Sequence, residues 1–185
     1  MAALASAESF SISVYSPGTE IHGANLDAAA LGFYSGMSGP ATYCPPEVGT
    51  YCPPVEGSLV TFGMGGMAVE VPGGQFIYVS PTGQVKYTQA HSNDMPPGSF
   101  FRGWFEKTVI SECEPTIEVI DFLTNDGSNI GGLMLCPDIS SFMTGTGASY
   151  QLYAKTPNFS LTNCVEAVGL VMHSNDASVG CWEYT

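Results

Sequence analysis

The chain has 185 residues, 44% of them hydrophobic and only 11% charged, with 17 acids against four bases and a formal net charge of −13. A chain this apolar is not disordered, and its length suffices for one domain with its own core. The four bases, Lys86, Arg102, Lys107 and Lys155, are scattered, which excludes a basic patch for nucleic acid or anionic lipid, and no apolar run reaches the ~20 residues of a helical membrane span.

Met1-Ala2-Ala3-Leu4-Ala5-Ser6-Ala7 reads as the tail of a signal peptide, with Ala5-Ser6-Ala7 as a small-x-small cleavage site before Glu8. The plainer alternative is an Ala-rich N-terminus. Residues 8–185 then read as a single all-β domain. Phe10, Ile12 and Val14 alternate with Ser9, Ser11 and Ser13, the pattern of a half-buried strand, and Pro17-Gly18 ends it. Asn25 to Leu31 is the best helical candidate, at one or two turns.

Residues 36–57 form a loop rich in Gly and Pro. It contains a tandem octapeptide, Thr42-Tyr43-Cys44-Pro45-Pro46-Glu47-Val48-Gly49 and Thr50-Tyr51-Cys52-Pro53-Pro54-Val55-Glu56-Gly57. Pro-Pro cannot enter a sheet interior, so both copies are extended or turning. The repeat is either a duplicated loop pinned by its cysteines or a recognition loop presenting Tyr43 and Tyr51.

Strands then follow closely at Ser58–Phe62, Met67–Val71, Phe76–Ser80 and Gln84–Gln89, joined by glycine-dependent turns. More are expected at Phe100–Lys107, Thr116–Leu123, Leu133–Leu135, Ser149–Ala154, Val165–His173 and Cys181–Tyr184. About ten short strands at this spacing predict an antiparallel β-sandwich or barrel. His91-Ser92-Asn93-Asp94 recurs as His173-Ser174-Asn175-Asp176, each copy placed after a strand. Two polar turns explain this; an internal repeat of the β-trefoil kind is the alternative.

Six cysteines, Cys44, Cys52, Cys113, Cys136, Cys164 and Cys181, occur without any C-x-x-C. That pattern argues against zinc ribbons and thioredoxin-type centres and for an extracellular disulfide framework whose pairing stays open. Neither a G-x-S-x-G elbow nor an H-E-x-x-H is present. The two His-Ser-Asn-Asp segments would make a metal site only if folding brought them together, and no cofactor is expected. Asp121 to Gly127 departs from a calcium loop at Leu123 and Asp126, and Asn125-Asp126-Gly127 reads as a hairpin turn. Glu112, Glu114 and Glu118 share a strand face and read as solvated rather than as a glycosidase pair. Trp104 and Trp182 are candidate sugar-stacking aromatics, although each also reads as core. Asn158-Phe159-Ser160 is a glycosylation sequon following Pro157, so Asn158 is expected on a surface loop.

Leu133-Met134-Leu135-Cys136-Pro137, Tyr150-Gln151-Leu152-Tyr153-Ala154, Asn163-Cys164-Val165-Glu166 and the ending Cys181-Trp182-Glu183-Tyr184 resemble a family of fungal secreted proteins. These are the phialide-associated cell-wall protein and the IgE-binding proteins. The strand Phe10–Tyr15 and the segment Gly57–Val79 fit the family's N-terminal half more loosely. The Cys-Pro-Pro duplication and Cys113 have no counterpart in the pattern. The resemblance implies a secreted, non-enzymatic cell-wall or cell-surface protein with roles in development, allergenicity or eliciting host defence, and it transfers no catalytic residue. Wall polysaccharide, a host protein or a second copy of the chain are the expected partners. A carbohydrate- or host-protein-binding module is the alternative, and a hydrolase of unrecognised type is the next.

Overall fold

The computed structural model describes residues 8–110, 115–137 and 149–185. The leader-like residues 1–7, Cys113 and the acids Glu112 and Glu114 therefore lie outside the described residues. In chain order the strands are β1 (Ser9–Tyr15), β2 (Leu26–Ala29), β3 (Gly32–Ser35), β4 (Thr42–Tyr43), β5 (Val60–Thr61), β6 (Ile77–Val79) and β7 (Val85–Tyr87). They continue as β8 (Trp104–Val109), β9 (Ile117–Phe122), β10 (Leu133–Cys136), β11 (Tyr150–Ala154), β12 (Val165–Ala167), β13 (Gly169–Asn175) and β14 (Glu183–Tyr184).

The strands form one sheet in the order β5-β1-β13-β9-β8 and a second in the order β12-β10-β11-β3-β7-β6, with β2 paired to β3. β14 and β4 make a short separate ribbon. Ile12, Val14, Ile120, Phe122 and Leu170 of the first sheet share one core with Phe33, Val85, Leu133, Leu135 and Leu152 of the second. Two sheets facing across one core are the expected all-β sandwich, not a trefoil.

β12 and β13 arise from the single segment expected at 165–173. The chain changes sheet at Val168, whose N–H donates to the Tyr15 carbonyl at 2.9 Å between the two strands. The 67–71 segment makes isolated bridges, Met67 to Val60 and Val69 to Cys181, rather than a full strand.

Two local expectations are corrected. Residues 25–31 are not helical: β2 pairs with β3 from Leu26↔Ser35 to Ala29↔Gly32, leaving Ala30 and Leu31 as a two-residue turn with φ of 48° and 58°. Burial of Leu26 and Ala28 in the core overrides the helical preference of the alanine run. The serine face of β1 is not solvated either, because Ser9 and Ser13 are buried. β1 is an internal strand, and the Ser9 hydroxyl donates to the Ala177 carbonyl, while Ser13 Oγ and His173 Nε2 are 2.7 Å apart.

The β6–β7 hairpin follows the expected glycine-dependent turn. Gly83 has φ of 97°, and a Cβ there would meet the Ala154 carbonyl oxygen at 2.5 Å. Only glycine lets the turn approach the end of β11, where Ala154 N donates to Gly83 O at 2.7 Å.

Candidate functional site: a groove at the β14 edge

The segment 181–185 is held by buried polar contacts. The fully buried Gln75 donates through Nε2 to the Thr88 and Tyr184 carbonyls at 3.0 and 2.9 Å, and its Oε1 accepts from Tyr184 N at 2.9 Å. The Tyr184 hydroxyl donates to Gly57 O at 2.6 Å and accepts from Leu59 N at 2.8 Å. A buried side chain with every group engaged fixes a position strongly, because each loose partner would be left unsatisfied. β14 also pairs with β4, placing Glu183 directly opposite Tyr43.

This arrangement builds one wall of a cleft of about 420 Å³ lined by Leu31, Gln89, Ala90, His91, Glu183, Tyr184 and Thr185. A second hollow of about 250 Å³ shares Leu31 and Gln89 and adds Tyr78, Tyr87, Thr88, Ser92 and Asp94. The two halves make one groove across the β2–β3 turn and the end of β7. Burial, and then the charge of Asp94, raise the Tyr78 phenol above its ordinary value. The Tyr43 side chain stands beside Glu183 on the same face, as directly paired residues do.

The first His-Ser-Asn-Asp copy lies in the turn region beyond β7 and reaches this groove through His91, Ser92 and Asp94. The second does not follow a strand: His173, Ser174 and Asn175 lie within β13, opposite Ser11, Phe10 and Ser9. The two copies are in different environments, so they are not a structural repeat. Among the described residues no group of three or more His, Cys, Asp or Glu side chains could hold a metal ion.

The cysteines resolve in part. Cys44 bonds Cys52, joining equivalent positions of the two octapeptides. Cys136 bonds Cys164 with Cα atoms 4.1 Å apart, continuing the Leu135↔Val165 register of β10 and β12 by one residue. Cys181 departs from the expected framework. Among the described residues it is a free, buried thiol in the core, and burial pushes its pKa up to about 12, with the Tyr184 phenol against it.

Of the candidate aromatics, Tyr51 is 86% exposed within the loop that the Cys44–Cys52 bond closes, and Tyr43, in β4 just before that loop, is 48% exposed. Trp104 is half-buried with its ring edge-on to Phe122 at 5.2 Å, and its Nε1 is buried without a hydrogen-bond partner among the described residues. Trp182 is half-buried beside Glu183. Asn158 is exposed in a turn. Gln75, Leu31 and Gln89 carried no signal in the sequence; His91 and Glu183 sat in motifs that stood out without a role.

A smaller hollow of about 130 Å³ lies between Phe10, Phe62 and Met172 and includes Glu106 and Glu118. Glu118 accepts from Thr108 Oγ1 at 2.7 Å and is exposed, in line with a solvated acid.

No known protein-family model matches this chain, and no solved structure matches it. The chain is 33% identical over 165 residues to an "Uncharacterized secreted protein" of Arthroderma benhamiae (strain ATCC MYA-4681 / CBS 112371), an alignment covering 86% of this chain and 77% of that protein.

Proposed function

Because the chain belongs to the family of the Arthroderma benhamiae secreted protein and is itself a secreted fungal protein, we propose that it acts as a non-enzymatic component of the cell wall or cell surface. The observation that carries this reading is the surface. It is poor in charge yet displays Tyr51, Phe62, Phe101, Phe105 and Ile110 to solvent. Exposed aromatic and aliphatic side chains on a disulfide-closed, charge-poor sandwich favour retention by a polymer matrix or by further copies of the chain. The resemblance to the phialide-associated and IgE-binding proteins extends the same reading to allergen- or elicitor-like behaviour. The exposed Asn158 turn makes the chain a glycoprotein in this reading.

The test is co-sedimentation of the purified protein with isolated hyphal walls, alongside turnover assays on glycoside and ester substrates. Saturable retention without turnover supports the proposal. Free passage through the walls, or turnover abolished by His173→Ala, overturns it. Enzymatic removal of N-glycans should lower the mass of the wild type and leave Asn158→Gln unchanged.

A further inference from the structure

Among the described residues five non-glycine residues have positive φ, and three of these, Ala30, Leu31 and His91, gather at one groove. Leu31 and His91 line it, and Ala30 N donates to the carbonyl of the lining Thr185 at 2.7 Å. Left-handed backbone is unfavourable at an L-residue and persists only where the surroundings enforce it, a pattern that gathers at ligand sites. The two halves, about 420 and 250 Å³, fall in or near the range of small-ligand sites.

The lining chemistry is selective. Leu31 supplies an apolar ridge between the halves, flanked by the Gln89 amide, the His91 imidazole and the Ser92 hydroxyl. Glu183 stands in one half and Asp94 in the other, and neither half is lined by lysine or arginine. With a formal net charge of −13 behind it, the groove disfavours anions. Amide, imidazole, hydroxyl and carboxylate groups around an apolar strip suit a ring that has a C–H face and a hydroxyl edge. Tyr43, paired with the lining residue Glu183, is an exposed aromatic next to it in the β4–β14 ribbon.

We propose that the groove astride Leu31 is a binding site for a neutral oligosaccharide. This rests on the wall-associated reading only for where the ligand comes from; the site itself stands on its geometry.

The experiment titrates the full-length protein by calorimetry with cellotetraose, chitotetraose and, as the anionic comparison, tetragalacturonate. At least one neutral probe should bind saturably, and tetragalacturonate should not. Gln89→Ala combined with His91→Asn should weaken that binding tenfold or more. Both side chains are exposed, and asparagine tolerates the left-handed backbone. Glu183→Gln provides a second, independent perturbation, and thermal melts confirm that each variant is folded. The proposal is overturned by absence of binding to both neutral probes, by stronger binding of tetragalacturonate, or by equal affinity in the folded variants. Retention on hyphal walls is measured separately, so loss of one result leaves the other standing.

Discussion

Gln75 and Tyr184 grip each other through both ends of the Gln75 amide, with Oε1 accepting from Tyr184 N and Nε2 donating to Tyr184 O, each at 2.9 Å. The same Nε2 reaches the Thr88 carbonyl at 3.0 Å, so one side chain ties β14 to the end of β7. Gln75→Leu keeps the volume but strands buried backbone groups. It should cost about 3 kcal/mol, since each unsatisfied buried group costs roughly 1–3 kcal/mol. A urea titration reads this directly, and a loss under about 0.5 kcal/mol, the scale of an ordinary surface substitution, would mean that the clamp does not hold the strand.

Burial keeps Cys181, Tyr87 and Tyr184 neutral, and each pKa is raised, that of Cys181 to about 12. The unfolded thiol and phenols titrate near 9.0 and 10.0. Their stabilising contribution is therefore complete below about pH 9 and is lost as pH rises through the raised native values. Melting temperature should fall steeply above pH 9. Iodoacetamide should leave Cys181 unmodified in the native protein at pH 8 and label it after denaturation, as peptide mapping would show. Labelling of native Cys181 at the denatured rate contradicts its burial in the core.

Asp27 has its pKa raised chiefly by burial, an effect only partly offset by the Ser58 hydroxyl that donates to Oδ1 at 3.1 Å. A raised native pKa means that the carboxyl supports folding below its ordinary value of 3.8, and that this support fades as pH rises through the native value. Asp27→Asn retains an acceptor for Ser58 and has no proton to lose. It should be more stable than the wild type at pH 7, with the gap closing below pH 4, as urea midpoints between pH 3 and 7 will report. A gap that widens in acid would refute the assignment.

How much of this was legible follows from which residues announce themselves. Period-two alternation alone places Phe10, Ile12 and Val14 on the core face, and Pro81-Thr82-Gly83 marks the β6–β7 turn. Ala28 and Ala29 mislead, since alanine has no β signature and only pairing with β3 decides their conformation. The tandem octapeptide marked Cys44 and Cys52 as the pinned loop, yet that Cys181 is unpaired among the described residues follows only from its place in the core. The groove was the least legible part. Gln75, Leu31 and Gln89 are ordinary in sequence and gain meaning only when β14 crosses the ends of β3 and β7.

The two disulfides should separate by access and by loop length. Cys44 is exposed and closes a loop at a sequence separation of 8, whereas Cys136 is buried and bridges a separation of 28. Loop-closure entropy assigns about 2.5 kcal/mol to the first and about 3.5 kcal/mol to the second. Millimolar dithiothreitol should open Cys44–Cys52 first, leaving the melt cooperative. Alanine replacement of Cys136 and Cys164 together should cost more than replacement of Cys44 and Cys52. A reversed order in the urea series would show that the short loop, not the β10–β12 junction, is the stability-determining staple.

The Ala30-Leu31 turn offers a gain rather than a loss. Both residues hold positive φ, a conformation that strains an L-alanine by on the order of 1 kcal/mol. Ala30 is exposed, so its methyl gives little packing to offset that strain, and its N–H bond to Thr185 O is a backbone contact that any non-proline residue retains. Asparagine populates the left-handed region more readily without the extra chain entropy that glycine brings to the unfolded state. Ala30→Asn should therefore stabilise the fold by about 0.5–1 kcal/mol, whereas Leu31→Asn, which removes a side chain packed against the core, should not. Equal destabilisation by both substitutions would show that the backbone there is not left-handed in solution, and would remove one of the observations that mark the groove as a ligand site.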